Sequence, residues 1–531
     1  MPKSYNAPVR YDAVIVGGGH NGLTAAAYLA KAGRRVLVLE RRHVLGGAAV
    51  TEEVFEGFKF SVCSYVVSLL RPEIIDELDL RRHGLEILPL DGTFTPMPGG
   101  NYIWRTDDHE HTRREIARHS ARDAAVYDQY NDAMAEMARF VKPLLGLVPP
   151  DPFSPDIASL RELRAIHRRF QALPTRMQRL YLQLMTMSAA DFLDQWFETD
   201  VLKATMSASG IIGTFLGARS PGTAYVLLHH YMGEIDGEFR SWGLARGGTG
   251  RISDAIAAAA KERGVEIRME APVSRVLVRG NRAVGVRLED GEEIHAGLVA
   301  SSLDPRLTFT KLVERDQLPA AFADDVRRFR FRGSSAKVNM ALDGLPSFTA
   351  MPGPGNHLRG AISISPSIEY MDRAYDDARA GRFSRRPYLD VVIPSLSDDT
   401  VAPPGRHVMS CFVQYAPYHL KDGTWDDHRE GLGDAVVNAI AEHAPDLRDL
   451  VRHRQVVTPL DLERHWSLSE GNIFHGELTL EQLFFLRPVP GWARHATPID
   501  KFYLCGSSTH PGGGIMGAPG RNAARVMLRH G

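Results

Sequence analysis

The chain has 531 residues, 44% of them hydrophobic and 24% charged, and 63 Lys and Arg against 64 Asp and Glu leave a formal net charge of −1. That composition excludes a disordered or collagen-like chain, and a near-neutral whole lacks the clustered positive charge that binding nucleic acid demands. At ~150 residues per domain the length holds roughly three to four domains' worth of material.

Met1–Arg10 has no apolar core of the kind a secretory signal carries. Tyr11–Val16 (Y-D-A-V-I-V) then reads as a buried parallel strand. Gly17, Gly19 and Gly22 follow as G-x-G-x-x-G, with His20 and Asn21 between them, and Leu23–Ala32 predicts a helix that Gly33 closes. Arg35–Glu40 is the next strand. Each part has a task at a dinucleotide: Gly17 makes the tight turn, Gly19 lets backbone approach a pyrophosphate, Gly22 lets helix pack on strand, and the helix N-terminus offers free N–H groups to the phosphates. Glu40, at the end of the second strand, can accept from both ribose hydroxyls and would repel a 2′-phosphate, which argues against NADP; Arg41 borders the same site. Beyond it the chain carries a glycine doublet, Gly46-Gly47.

Residues 106–242 read as helical. Leu160, Leu163, Ile166, Phe170, Leu173, Met177, Leu180, Leu184 and Met187 recur at three- and four-residue steps, and Pro174 opens a second helix within the stripe. The polar face holds Arg161, Arg164, Arg168, Arg169, Arg176 and Arg179 against one acid, Glu162. A basic amphipathic helix can lie on anionic lipid. The plainer reading, preferred here, is a helical cap packed on the domain or a subunit interface of a homo-oligomer. Gly247–Gly250 then precedes a helix over Ile252–Arg263. Pro272–Val278, Ala283–Glu289 and Glu293–His295 form a meander with G-N and D-G turns, and Leu298–Ala300 follows as a strand. Strand-like runs at Ala336–Leu342, Gly360–Ser365, Tyr388–Leu396 and Val408–Tyr415 predict a mixed or antiparallel sheet walling a pocket, with a helix over Gly433–His443. Last come the strand Phe502–Cys505, the run G-S-S-T-H-P-G-G-G-I-M-G-A-P-G-R-N-A-A over Gly506–Ala524, and a terminal helix.

The N-terminal fingerprint with its glycine doublet, Gly471–Pro490, and the STHPGGG run together resemble the phytoene desaturase and carotenoid oxidoreductase superfamily of FAD-dependent oxidoreductases, with nearest likeness to PYROXD2-like proteins and carotene ketolases of the CrtO type. The resemblance implies an α/β fold: a discontinuous, glutathione-reductase-like (Rossmann) FAD-binding domain over 1–105, 243–334 and 471–531, a helical cap over 106–242, and an inserted α+β substrate domain over 335–470. It implies FAD held by Gly17, Gly19, His20, Asn21, Gly22, Glu40, Arg41, Gly46, Gly47, Val273, Gly506, Gly514, Met516 and Gly517. The helix N-terminus near Met516–Ala518 would aim N–H groups at the reduced flavin. The implied activity is dehydrogenation of C–C bonds of a small lipophilic or polyene-like substrate. His510, His475 and Glu477 are the candidate catalytic residues, and His229 and His230 candidate pocket residues. Two alternatives share the architecture: a flavin amine oxidase, and a prenyl-lipid escort of the GDP-dissociation-inhibitor type without catalysis. No clustered Cys/His pattern points to a metal, and Cys63, Cys411 and Cys505 form no C-x-x-C pair, so reduced thiols in a cytoplasm are expected, with membrane contact at most peripheral.

Overall fold

The apolar run Tyr11–Val16 forms a strand buried almost throughout, and everything that positions the site is built around it. The computed structural model describes residues 11–153 and 156–530; Met1–Arg10, the stretch that lacks the apolar core of a signal, lies outside the described residues. Tyr11–Val16 pairs in parallel with Val36–Leu39 on one side and Glu293–Ser301 on the other. Glu266–Arg268 extends the sheet beyond Val36–Leu39, and Phe502–Leu504 pairs in parallel with Glu293–Ser301. Three distant pieces of chain therefore make one parallel sheet, as a discontinuous nucleotide-binding domain requires. The helices His20–Lys31, Gly250–Glu262 and Ala518–His530 cover one face, sharing a core of Leu23, Leu29, Ile252, Ile256 and Met527.

Glu293–His295 and Leu298–Ala300 prove to be one strand. Its first half pairs antiparallel with Arg282–Leu288, which pairs with Val273–Arg279, so the meander runs directly into the parallel sheet. Gly297 between the halves is a contact point, not a break: a Cβ there would lie 2.9 Å from the Asp12 carbonyl oxygen.

A second sheet has the order Val451–Val457, Ser335–Leu342, His407–Gln414, Tyr388–Val392, Ala361–Ile364, Thr93–Pro96, Tyr102–Arg105. Its last two strands fall within the stretch expected from sequence to be the first FAD segment, 1–105. They belong here because Thr93–Pro96 pairs in parallel with Ala361–Ile364 and Phe94 is fully buried in this sheet's core. The helix expected over Gly433–His443 starts earlier, spanning Trp425–Ala441, because Thr424 and Asp427 form a reciprocal capping box. The third layer is helical. Pro174 does open a second helix, Thr175–Thr186, which buries Met177, Leu180 and Leu184. Among the described residues no helix is long and apolar enough to cross a membrane.

Candidate functional site

A cavity of about 560 Å³ is lined by the strand ends of the parallel sheet, by the second sheet and by the helical layer. At its nucleotide end the glycine loop follows directly from the strand Tyr11–Val16. Gly17 has φ +96°, a left-handed backbone that favours glycine. The Gly18 N–H donates to Glu40 Oε2 at 2.7 Å, and the Arg42 N–H to Glu40 Oε1 at 2.9 Å, which fixes the buried carboxylate at the second strand's end. The doublet lies against the same loop: the Gly46 N–H donates to the Gly18 carbonyl at 2.9 Å, and Gly19 bridges Gly46.

The cavity wall here fits a dinucleotide on three observations. A Cβ on Gly19 would meet no protein atom nearer than 4.0 Å, so packing does not demand glycine there, whereas close approach of a ligand does. The helix His20–Lys31 has no side-chain cap at Gly19, which leaves its first N–H groups turned to an anion. Buried polar atoms also stand without protein partners: His20 Nε2 and Asn21 Oδ1. Asn21 Nδ2 donates to Ser507 Oγ at 2.9 Å, joining the first glycine loop to the last. Val273, Arg41, Gly47 and Gly514 line the same cavity; Arg41 is held by the His465 carbonyl at 2.8 Å.

The other half of the cavity is an apolar chamber. Tyr65 stacks on Phe412 with centroids 5.8 Å apart, and His230 lies between Trp242 at 5.9 Å and Phe474 at 6.0 Å. His230 Nδ1 donates to the Val226 carbonyl at 2.9 Å, and burial lowers its pKa to about 4, so it is a neutral wall residue. His475 also lines the chamber; burial, with a smaller push from His20, lowers it to about 4, and its Nδ1 has no partner.

Lys337 lies in the chamber wall and is only 2% exposed. Its Nζ donates to Ser410 Oγ at 2.5 Å and sits 4.6 Å from the centroid of the Tyr65 ring. Burial pushes its pKa down to about 7, so the amine can accept or release a proton at neutral pH. Behind it Tyr65 Oη donates to Asp390 Oδ2 at 2.5 Å, and burial raises Asp390 to about 6. None of these residues stands out in the sequence as a site residue. For Lys337 a signal existed: it is the one charge in the fully buried strand S-A-K-V-N-M-A-L, and a buried charge carries a cost that calls for a reason.

Several expected residues stand away from the cavity wall. Gly22 supports packing: a Cβ there would come within 2.3 Å of the Gly17 carbonyl oxygen. Gly506 abuts the Ser302 carbonyl, Gly517 abuts Ile74, and Met516 is buried against Leu69. The terminal helix begins at Ala518, so Ser507 and, in the turn before that helix, Gly514 and Ile515 are what line the cavity from the C-terminal run. Glu477 is fully buried in an ion pair with Arg332, whose Nη2 donates to Oε2 at 2.6 Å. His510 Nε2 donates to the Leu144 carbonyl at 2.8 Å, its ring meets Phe484 edge-on, and burial lowers its pKa to about 3. His229 is buried beside His230, off the wall. Of the three residues expected to be catalytic, only His475 faces the chamber.

A family model for flavin containing amine oxidoreductase matches residues 22–528. The chain is 41% identical to the mouse (Mus musculus) pyridine nucleotide-disulfide oxidoreductase domain-containing protein 2, over 98% of this chain and 93% of that protein. It is 28% identical to one of the subunits of a limonene dehydrogenase from Castellaniella defragrans, over 98% and 94%, and 26% identical to the lycopene-forming phytoene desaturase of Pantoea ananas, over 97% and 98%. Among solved structures, an oxidoreductase from Methanosarcina mazei shares the fold with a TM-score of 0.60 at 18% identity, over 97% of this chain and 99% of that one. The group that the glycine loops receive is FAD.

Proposed function

We propose that this chain, which belongs to the flavin-containing amine oxidoreductase family, dehydrogenates a C–C bond of a lipophilic or polyene-like substrate held in the apolar chamber. FAD, when bound, supplies the two-electron acceptor. One observation carries the choice of substrate. The chamber is walled by Val66, Val67, Ile212, Trp242, Phe412 and Phe474, and the carboxylates on the cavity wall are Glu40 and Glu289, the first on the ribose side and the second beside Val273. A cationic amine would meet no counter-ion there, and would face Lys337. Relatives named as a limonene dehydrogenase and a phytoene desaturase support the reading.

The chain's own part is to hold, dry and deprotonate. Stacked rings hold a flat apolar substrate and exclude water. When hydride leaves one carbon, the neighbouring carbon gives up a proton and its bonding pair becomes the new double bond. The neutral amine of Lys337 is the wall group placed to take that proton. The test is anaerobic bleaching of the FAD-loaded protein across lipids, polyenes and amines, with hydrogen peroxide measured in air. Bleaching by lipophiles alone is expected. Bleaching by amines alone would replace this reading with amine oxidation. A colourless protein that binds prenyl lipids and cannot be reconstituted would replace it with an escort role.

A further inference from the structure

Four of the five large hydrophobic side chains most exposed among the described residues lie between positions 153 and 182: Phe153 at 78%, Ile157 at 68%, Leu160 at 53% and Leu182 at 56%. They belong to the helices Ile157–Gln171 and Thr175–Thr186 and the approach to them. At about 100° per residue, Ile157, Leu160, Arg161, Arg164 and Arg168 fall within one arc of about 100°, and Arg179 and Leu182 share an exposed stripe on the second helix. The first helix packs through Phe170, whose ring meets Phe140 and Tyr181, while Leu163 and Ile166 are only partly buried and its arginines face solvent.

These guanidinium groups differ from most others in the protein. Arg81, Arg82, Arg327 and Arg386 are exposed but paired with carboxylates. Arg161, Arg164, Arg168, Arg176 and Arg179 are exposed with no ion pair or hydrogen bond among the described residues. Glu162, the one acid between Ile157 and Thr186, keeps its Oε2 buried. The face therefore presents uncompensated positive charge interleaved with protruding apolar side chains.

We propose that this helical hairpin docks the protein on an anionic lipid bilayer, with Ile157, Leu160 and Leu182 entering the interface and the arginines pairing with lipid phosphates. Charge complementarity selects the occupant. A second copy would bring five like charges against five, whereas an anionic bilayer neutralises them and takes apolar side chains without a shaped pocket. The helix Thr175–Thr186 packs on Thr223–Tyr231, whose His230 walls the chamber, so a bilayer at this face lies one helix from the cavity. The proposal stands whatever the substrate.

The test is co-sedimentation of the full-length FAD-loaded protein with phosphatidylglycerol-rich and pure phosphatidylcholine vesicles at low and high salt. It compares the wild type with R161Q/R164Q/R168Q, R176Q/R179Q and I157S/L160S/L182S. Binding to the anionic vesicles at low salt is expected, falling with salt. At roughly fivefold per charge, the triple arginine variant should bind on the order of a hundredfold more weakly. The serine variant should also lose binding. Flavin content and melting temperature should stay unchanged in all three, because the altered side chains are exposed. No sedimentation at low salt, equal binding to neutral vesicles, or wild-type binding by both arginine variants would overturn the proposal. Conversion of a wild-type dimer to monomer by the same substitutions, without any lipid effect, would overturn it in favour of self-association.

Discussion

Replacing Lys337 by methionine should stabilise the protein at acid and neutral pH and impair its chemistry. In the unfolded chain the amine stays protonated up to about 10.5, whereas in the folded protein burial holds it protonated only up to about 7. Between those values the unfolded state binds the extra proton, so this residue makes stability rise with pH there; below pH 7 the full penalty applies. Across that interval, at ~1.4 kcal/mol per pH unit, the buried ammonium costs the fold on the order of 5 kcal/mol. Lys337→Met removes that cost and keeps most of the volume, so its advantage over the wild type should be large at pH 6 and nearly gone at pH 10. Denaturant unfolding of the holoprotein at the two pH values reads this directly. The rate of anaerobic flavin reduction reads the chemistry: the wild type should gain rate as pH rises through about 7, and the variant should be slow and flat across that range. Equal pH dependence of stability in both proteins would refute the burial argument, and an unchanged rate profile would remove Lys337 from the reaction.

Other substitutions separate roles that the sequence alone runs together. Gly19→Val should fold, since its side chain enters the cavity with the nearest protein atom, the Gly46 carbonyl oxygen, 4.0 Å from the Cβ site, yet purify without flavin absorbance; Gly22→Val should fail to fold, because its Cβ site lies 2.3 Å from the Gly17 carbonyl oxygen. Glu477→Gln, which breaks a pair buried on the Glu477 side and 40% exposed on the Arg332 side, should cost about 2 kcal/mol in denaturant unfolding. It should leave the flavin reduction rate within threefold of wild type, and a large rate loss at intact stability would restore Glu477 as a catalytic group. Phe412→Ala should lower stability by ~3 kcal/mol and raise the substrate KM more than it lowers kcat, measured by steady-state kinetics on any substrate that bleaches the flavin.

The nucleotide half of this molecule is readable from sequence because each piece is local. A strand, a turn that only glycine fits, a helix and a ribose acid fall within residues 11–40, and the structure brings Gly17, Gly19, His20, Asn21 and Glu40 to one cavity end. The chamber is less readable because its wall comes from residues far apart in the chain, Tyr65, Trp242, Lys337, Phe412 and Phe474, each unremarked in its own window. The placement of Thr93–Pro96 in the second sheet rests on a parallel pairing with Ala361–Ile364 that no local pattern encodes. His510 and Glu477 misled for the same reason: they sit in motifs that border the flavin site, but the hydrogen bond to Leu144 and the pair with Arg332, both formed across the fold, turn them away from it.

Anaerobic titration of the FAD-loaded protein with product mass analysis decides whether the apolar half of the cavity holds a carbon chain for dehydrogenation. One equivalent of a lipophilic product, lighter by two hydrogens, is expected for each flavin bleached. Bleaching by a primary amine with release of the corresponding aldehyde, and none by any lipophile, would contradict it.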